Sequence, residues 1–387
     1  MLIYDFNMTN KILRIAFSGG GSAGHLYPIV AVARKIKERT PGQSTELYFI
    51  GPKTIGSEIL LQEDVVYKKI MAGKLRRYFS LSNFVDFLFV LPISIIQCLW
   101  ILFRLMPDVL FCKGGFGGLP ASLVAWLYRI PVIVHDSDSY PGLTNRIVAK
   151  FAKKVAISFP EAKDFFPANK TALTGNPLRE DLAGGTLEEA KRVFNLRGDK
   201  PVLFITGGSQ GAEAINTIII TILTRLLPEL EIIHQCGENN VESIKQQLPQ
   251  TIPPDSIFNG YYHFYGFLNA EQMKQAYGAA TLVLSRAGAT SINELANLGK
   301  PSILIPLPET TGNQHQIKNA FSYAKSGATI VLEQDNLTPN ILVVKILELV
   351  KNKELLEKMS QGAKNFSFPD ADDKLAEETL RLASPAS

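Results

Sequence analysis

The chain has 387 residues, 46% hydrophobic and 20% charged, enough for two or three domains with their own cores. That balance excludes a disordered chain and a multi-span membrane protein, and three scattered cysteines (Cys98, Cys112, Cys236) exclude a disulfide framework and fit a reducing compartment. The net charge of +4 is uneven: residues 1–180 carry 22 Lys and Arg against 13 Asp and Glu, residues 181–387 carry 18 against 23. A basic half fits an anionic surface. With no nucleic-acid module in the sequence, that surface is expected to be lipid.

Residues 1–11 hold no long apolar stretch and no cleavage site, so no signal peptide is expected, and Met8 is an alternative start. The first predicted strand, Ile12–Phe17, ends in glycines, and helical spacing follows over Pro28–Lys37. Leu47–Ile50, Val109–Phe111 and Val132–Val134 are further short apolar runs, each closed by Gly, Pro or polar residues. Such runs alternating with helices predict a parallel sheet covered on both faces. Gly175-Asn176-Pro177 interrupts the rhythm, which restarts with Val202–Thr206, glycines and a helix from about Ala212. Ile232–Gln235, Leu282–Leu284 and Ser302–Ile305 are later strands. The α/β chain thus reads as two doubly wound units, about 11–177 and 178–367. A final amphipathic helix, about 368–384, is a candidate to pack back on the first.

Six segments carry candidate chemistry. Ser18-Gly19-Gly20-Gly21-Ser22-Ala23-Gly24-His25 follows the first strand, where ligands of open α/β sheets lie. Glycines admit a ligand to the backbone, and His25 is a natural base near neutral pH; a packed histidine is the alternative. Gly207-Gly208-Ser209-Gln210-Gly211 holds the same place in the second unit and suits a diphosphate. Ser285–Glu294 offers Glu294 to a ribose diol, although Ser291 and Glu294 also have capping-box spacing. Gly312-Asn313-Gln314-His315-Gln316, with Asn319, can read sugar hydroxyls. His135-Asp136-Ser137-Asp138 has a DxD pair, but two carboxylates are weak evidence for a metal. Acceptor binding or base assistance is preferred there, with helix capping as the alternative.

The sixth segment is Phe84–Phe103, twenty mostly apolar residues broken by Asp86, Pro92, Ser94 and Gln97. Its length allows a bilayer span. A single span would put strands of one sheet on opposite sides of a membrane, so an interfacial face is expected instead, with a buried core helix as the alternative. Lys68, Lys69, Lys74, Arg76 and Arg77 precede it, and Arg146, Lys150, Lys153 and Lys154 add charge to the same domain.

Taken in order, GGGSAGHLYP, KGGFGGLP, HDSDSYPGLTNR, TGNPLR, GGSQGAEAIN, HQCG and RAGATSINEL resemble the MurG family of UDP-N-acetylglucosamine transferases, over about residues 12–338. The resemblance implies a GT-B architecture, two Rossmann-like domains facing across a cleft, with the lipid acceptor and membrane on the first and UDP-GlcNAc on the second. It implies His25 as base with Asp136 as a less favoured one. Ser22, Ala23, Gly24 and Asp138 fall in the acceptor half. Donor contacts are implied at Arg179, Ser209, Leu268 (through its backbone to uracil), Ala289, Thr290, Ser291, Ile292, Asn293, Glu294, His315 and Gln316. Two departures stand out: Ala23 replaces a glycine, and Asp136-Ser137-Asp138 replaces Glu-Gln-Asn.

The implied reaction is inverting transfer of GlcNAc from UDP-GlcNAc to the C4 hydroxyl of MurNAc in lipid I, giving β-1,4-linked lipid II for peptidoglycan and cell-wall synthesis. No metal or cofactor is expected. The diphosphate leaves onto loop amides and helix N-termini, and cleft closure about Gly175–Pro177 limits hydrolysis. The implied location is the cytoplasmic face of the cell membrane. Alternatives are a lipid-directed GT-B transferase with another acceptor, such as a diacylglycerol, a UDP-GlcNAc 2-epimerase, and a non-catalytic sugar-nucleotide-binding subunit.

Overall fold

The central strands of the two sheets are short, buried apolar runs. The computed structural model describes residues 12–20, 23–53, 58–73, 86–178, 182–208, 210–308 and 314–384. The chain divides into two units, residues 1–178 with 369–387, and residues 179–368.

In the first unit β1 (Leu13–Ser18) is followed by α1 (Ala23–Arg39), β2 (Thr45–Gly51), α2 (Glu58–Gln62) and β3 (Val65–Lys69). A π-helical turn, Asp86–Val90, runs into α3 (Leu91–Leu105). Then come β4 (Val109–Cys112), α4 (Gly118–Leu127), β5 (Val132–Asp136), α5 (Leu143–Val148), β6 (Lys154–Ile157) and β7 (Thr171–Leu173). The described strands form a parallel sheet in the order β3-β2-β1-β4-β5-β6-β7. Parallel strands need crossovers, and the helices that supply them cover both faces. One core lies between the sheet and α3, α4 and α5, and the other beneath α1 and α2.

The second unit repeats the plan. It runs α6 (Leu187–Phe194), β8 (Val202–Thr206), α7 (Glu213–Leu226), β9 (Glu231–Gln235), α8 (Val241–Thr251), β10 (Tyr262–Tyr265), α9 (Ala270–Ala279) and β11 (Ala280–Ser285). It continues with α10 (Ala289–Asn297), β12 (Ser302–Leu304), α11 (Gln314–Ala324), β13 (Thr329–Val331), α12 (Pro339–Lys351) and α13 (Lys353–Phe366). The sheet order is β10-β9-β8-β11-β12-β13, all parallel. Asn269 and Gln272 close a reciprocal capping box at the start of α9. The last helix, α14 (Ala371–Ala383), packs on α1 of the first unit, where Leu375, Ala376 and Ala383 join the core of β1 and Arg39 grips Asp373 with two hydrogen bonds of 2.8 and 2.6 Å.

Several boundaries differ from the sequence expectation. α1 starts at Ala23, not Pro28, so His25 stands in its first turn and not on a loop. Proline reads as a helix start, but Pro28 lies inside the helix. β5 runs two residues past its apolar run, because His135 and Asp136 are buried and in register with Ala156 and Ile157 of β6. The Ser291–Glu294 capping box does not form: α10 begins at Ala289 with Gly288 as its N-cap and no side-chain cap bond.

Candidate functional site

At the carboxyl ends of β1, β4 and β5 the first unit gathers polar side chains in a dry setting. Ser18 Oγ donates to Ile50 O (2.9 Å) and Gly117 O (3.0 Å), and Lys113 N–H donates to Ser18 O (2.7 Å). These bonds fix the strand ends relative to one another. Gly115 has φ +73°, and a side chain there would collide with Gly20 O and press on the His25 ring, so only glycine lets the two loops meet. His25 is partly exposed, yet its Nδ1 is sealed from solvent without a hydrogen-bond partner among the described residues. Burial pushes its pKa down to about 4, Lys113 pushes it the same way, and Asp138 and the Gly20 backbone oppose them. The imidazole is therefore neutral at pH 7, the form a base needs.

The Asp136 carboxylate is fully committed. Oδ1 accepts from Asp138 N–H (2.9 Å), and Oδ2 accepts from Gly142 N–H (3.2 Å) and Asn145 Nδ2 (2.7 Å). Burial first, and Asp138 second, raise its pKa. It ties the loop after β5 to the start of α5, which is closer to the capping role than to that of a free base. Lys113 is 3% exposed and donates through Nζ to Ser137 Oγ, which donates to Asn176 Oδ1 at 2.9 Å. His135 Nε2 bonds Gly175 O at 2.9 Å. The Gly175-Asn176 segment is thus packed into the first unit.

The second unit has a cavity of about 460 Å³ at the ends of β8, β11 and β12, within the range usual for small-molecule sites. Gly207, Gly208, Gly211, Arg286, Gly288, Ser291, Leu307, Gln316 and Gln334 line it. Gly211 has φ +74°, and a side chain would run into Cys236 O. The glycine loop thus lies beside the N-termini of α7 and α10, a setting for anions, with Gly208 N–H donating to Thr206 Oγ1 (3.2 Å) and Gly211 N–H to Gly208 O (3.0 Å). Arg286, 8% exposed, donates to three neutral oxygens: Ile305 O (3.0 Å), Pro306 O (3.2 Å) and Gln334 Oε1 (2.7 Å). Gln316 Oε1 accepts from Leu307 N–H at 3.1 Å.

Models of the glycosyltransferase family 28 N-terminal and C-terminal domains match residues 15–157 and 202–375. Relatives from Clostridium perfringens and Clostridium kluyveri, each named UDP-N-acetylglucosamine–N-acetylmuramyl-(pentapeptide) pyrophosphoryl-undecaprenol N-acetylglucosamine transferase, are 39% identical. The matches cover 89% and 90% of this chain and 92% and 95% of theirs. The crystal structure of Acinetobacter baumannii MurG is 26% identical with a TM-score of 0.73, over 95% of this chain and 99% of that one. The chain belongs to the MurG family of glycosyltransferases. Its two Rossmann-like units have the GT-B fold. A Neisseria meningitidis UDP-GlcNAc 2-epimerase, 14% identical with a TM-score of 0.68 over 96% of this chain and 100% of that one, shares the fold alone.

In this MurG-family chain the structure brings together some of the residues named from the sequence and not others. Ser291 and Gln316 line the cavity with the second glycine loop. Glu294 is 6% exposed and accepts from Tyr277 OH at 3.1 Å. Ile292 is fully buried, Asn293 Nδ2 turns back to Ala289 O (2.7 Å), and the Leu268 side chain is buried, so neither the Ile292 nor the Leu268 side chain is open to a ligand. Ala289 is buried at the helix start, while Thr290 and His315 are half-buried outside the cavity lining. Gly24 and Asp138 are half-buried beside His25 and Lys113 respectively. Ala23 opens α1. Ser22, Arg179 and Ser209, with Lys74, Arg76, Arg77, Gly312 and Asn313, lie outside the described residues. Lys113, Asn145, Arg286 and Gln334 carry no separate signal in the sequence, and Ser137 and Asn176 stand there only as members of the DxD segment and of the Gly-Asn-Pro break. All but Gln334 lie inside the quoted motif blocks.

α3 packs Cys98 and Leu102 into the core of the first unit and turns a second apolar face outward. Leu88–Leu105 is long and apolar enough to cross a membrane, and only 17% of it is buried. β3 before it and β4 after it belong to one sheet, so it does not cross. Its polar interruptions face the protein: Ser94 Oγ donates to Met71 O, and Gln97 Oε1 accepts from Met71 N–H at 2.8 Å. Phe89, Ile93, Ile96, Trp100 and Phe103 are exposed along the other side, joined by Trp126 and Leu127 at the end of α4. Arg104 stacks on Trp100 at 4.0 Å, and Arg146, Lys150 and Lys153 are exposed in the same unit.

Proposed function

We propose that this glycosyltransferase moves GlcNAc from UDP-GlcNAc to the C4 hydroxyl of MurNAc in lipid I, with inversion, forming the β-1,4 linkage of lipid II. The observation that carries the reading is His25, a neutral imidazole at the strand ends of the first unit, whose Nδ1 has no hydrogen-bond partner among the described residues. The names of the Clostridium relatives supply the donor and acceptor.

His25 takes the C4 hydroxyl proton as that oxygen attacks the anomeric carbon on the face opposite the diphosphate. Asp136, with both oxygens occupied, shapes the loop instead. UDP leaves onto the amides of the 207–211 loop and the N-termini of α7 and α10, with the Arg286 cation nearby. Glu294 takes the ribose hydroxyls, and Gln316 with His315 the GlcNAc hydroxyls. Leu268 reads uracil through its backbone, and Arg179 and Ser209 complete the donor contacts. Ser22, Ala23, Gly24 and Asp138 serve the acceptor. The first unit, with α14, binds acceptor and membrane, and the second binds the sugar nucleotide.

The outward face of α3 supports peripheral attachment to an anionic membrane, on the cytoplasmic side where the donor is found. Each large apolar side chain moved from water to lipid contributes about 1.5–3 kcal/mol, and basic neighbours add attraction. Purified protein is tested for UDP release from UDP-GlcNAc in EDTA, with and without a soluble lipid I analogue. Release that needs the analogue and yields the disaccharide is expected. Donor binding with no analogue-dependent release overturns the acceptor assignment.

A further inference from the structure

A buried cation without an acid beside it is costly, and it is suited to an incoming anion. Arg286 follows β11, lines the cavity of the second unit and is 8% exposed. Two further strand ends hold it. Nη1 donates to Ile305 O (3.0 Å) and Pro306 O (3.2 Å) after β12, and Nη2 donates to Gln334 Oε1 (2.7 Å) in the turn Gln334–Asn336 after β13. All of these acceptors are neutral, and among the described residues no carboxylate pairs with the guanidinium. Burial lowers its pKa, yet a guanidinium keeps its charge at neutral pH. Nε–H and the second Nη2–H have no partner among the described residues. Gln334 is half-buried and lines the same cavity, whereas its neighbours in the chain, Glu333 and Asp335, are exposed. The turn thus sets an amide on the guanidinium with a carboxylate on either side of it turned to solvent.

We propose that Gln334 is a positioning residue of the donor site, whose neutral amide holds Arg286 in the cavity wall without cancelling its charge, so that the guanidinium meets the diphosphate of a sugar nucleotide as an unpaired cation. This rests on the cavity being the UDP-GlcNAc site of the proposed reaction. A carboxylate grips a guanidinium more firmly than an amide does. At position 334 it would close an ion pair within the wall and leave no net charge for the ligand. Bracing alone therefore favours an acid here, and anion binding favours the amide. The two roles predict opposite orders for the same substitutions.

Calorimetry compares UDP, whose diphosphate is charged, with uridine, which has no phosphate, on wild type, Gln334→Glu, Gln334→Met and Arg286→Met. Gln334→Glu is expected to weaken UDP binding about tenfold or more, the size of a lost charged hydrogen bond, and to leave uridine binding unchanged. Gln334→Met gives up the brace and keeps the charge, so it is expected to cost about threefold, the size of a neutral hydrogen bond. In an Arg286→Met background it is expected to cost nothing further. In steady-state assays Gln334→Glu should raise the donor KM by the factor seen for UDP, with little change in kcat. A Gln334→Glu protein that binds UDP as tightly as wild type, or more tightly than Gln334→Met, overturns the proposal, because a brace alone gives that order. Equal weakening of uridine overturns it too, as does an undiminished cost of Gln334→Met in the Arg286→Met background. If Gln334→Glu does not fold, an Arg286→Met protein with the wild-type preference for UDP over uridine overturns it instead. Wild type that binds no UDP sinks the donor assignment and this proposal together, whereas a failed Gln334 series on a wild type that binds UDP leaves the donor assignment standing.

Discussion

The two units share one plan, yet they build their sites from different material. In the first unit the site is side chains: Lys113, Ser137 and Asn176 form one hydrogen-bonded chain, Asp136 and Asn145 another, and the half-buried His25 stands at the same strand ends. In the second it is an open cavity that a glycine loop and two helix starts help to wall, with Arg286 braced on three neutral oxygens. The difference follows the chemistry each serves. Proton removal needs fixed charges in a low dielectric, where burial tunes a base. Holding a diphosphate needs amides that stay available to a ligand that comes and goes.

That contrast is broken most directly at His25. His25→Ala is expected to lower kcat about 10²–10⁴-fold while calorimetry shows unchanged UDP-GlcNAc affinity. A matching loss of donor affinity would mean that the two sites are not separable. Next in size is the outward face of α3. Trp100→Glu with Phe103→Glu removes about 3–6 kcal/mol of apolar transfer and should cost at least about 100-fold in binding to phosphatidylglycerol vesicles, read by co-sedimentation. Both side chains are exposed, so Tm should hold. Arg286→Met should raise the donor KM about tenfold or more, since a charged hydrogen-bonding group contributes about 1.5–3 kcal/mol. It should leave the His25 titration untouched, which sharpens the division between units.

A smaller effect is expected from pH. His25 and His234 are pushed down to about 4 and about 3 by burial, from 6.5. Between pH 6.5 and those values the unfolded chain binds more protons than the folded one, so stability falls as pH falls through that window. Tm measured from pH 7 to pH 4 should decline, and His25→Asn should flatten the slope. Arg39→Ala, which cuts the exposed pair with Asp373 on α14, should leave Tm within the scatter of repeated scans.

The strands legible in the sequence are those buried on both faces. β1, β2, β4 and β5, and β8, β9, β11 and β12, read as short apolar runs. The four edge strands, β3, β7, β10 and β13, and β6 beside an edge, did not. Val65–Lys69 and Tyr262–Tyr265 are half exposed and mixed in character, and Thr171–Leu173 and Thr329–Val331 are three residues each. An edge strand borrows its conformation from a neighbour, so its own pattern is weak. The same logic covers the site. Glycine loops at strand ends announce themselves, and His25 beside one is easily found. Lys113 and Asn176 look ordinary, because their meaning comes from Ser137, which lies 24 and 39 residues from them in the chain.

By itself, then, the sequence determined the α/β plan, the tandem repeat of strand, glycine loop and helix, and the family, because periodicity and motif order are local properties of the chain. Tertiary structure alone decided which face of α3 looks outward, that Asp136 is occupied by Asp138, Gly142 and Asn145, and that a buried lysine stands beside the candidate base. Those facts depend on burial and on charges brought together from distant strands, and an interior group acquires its protonation state only when the surrounding water has been removed.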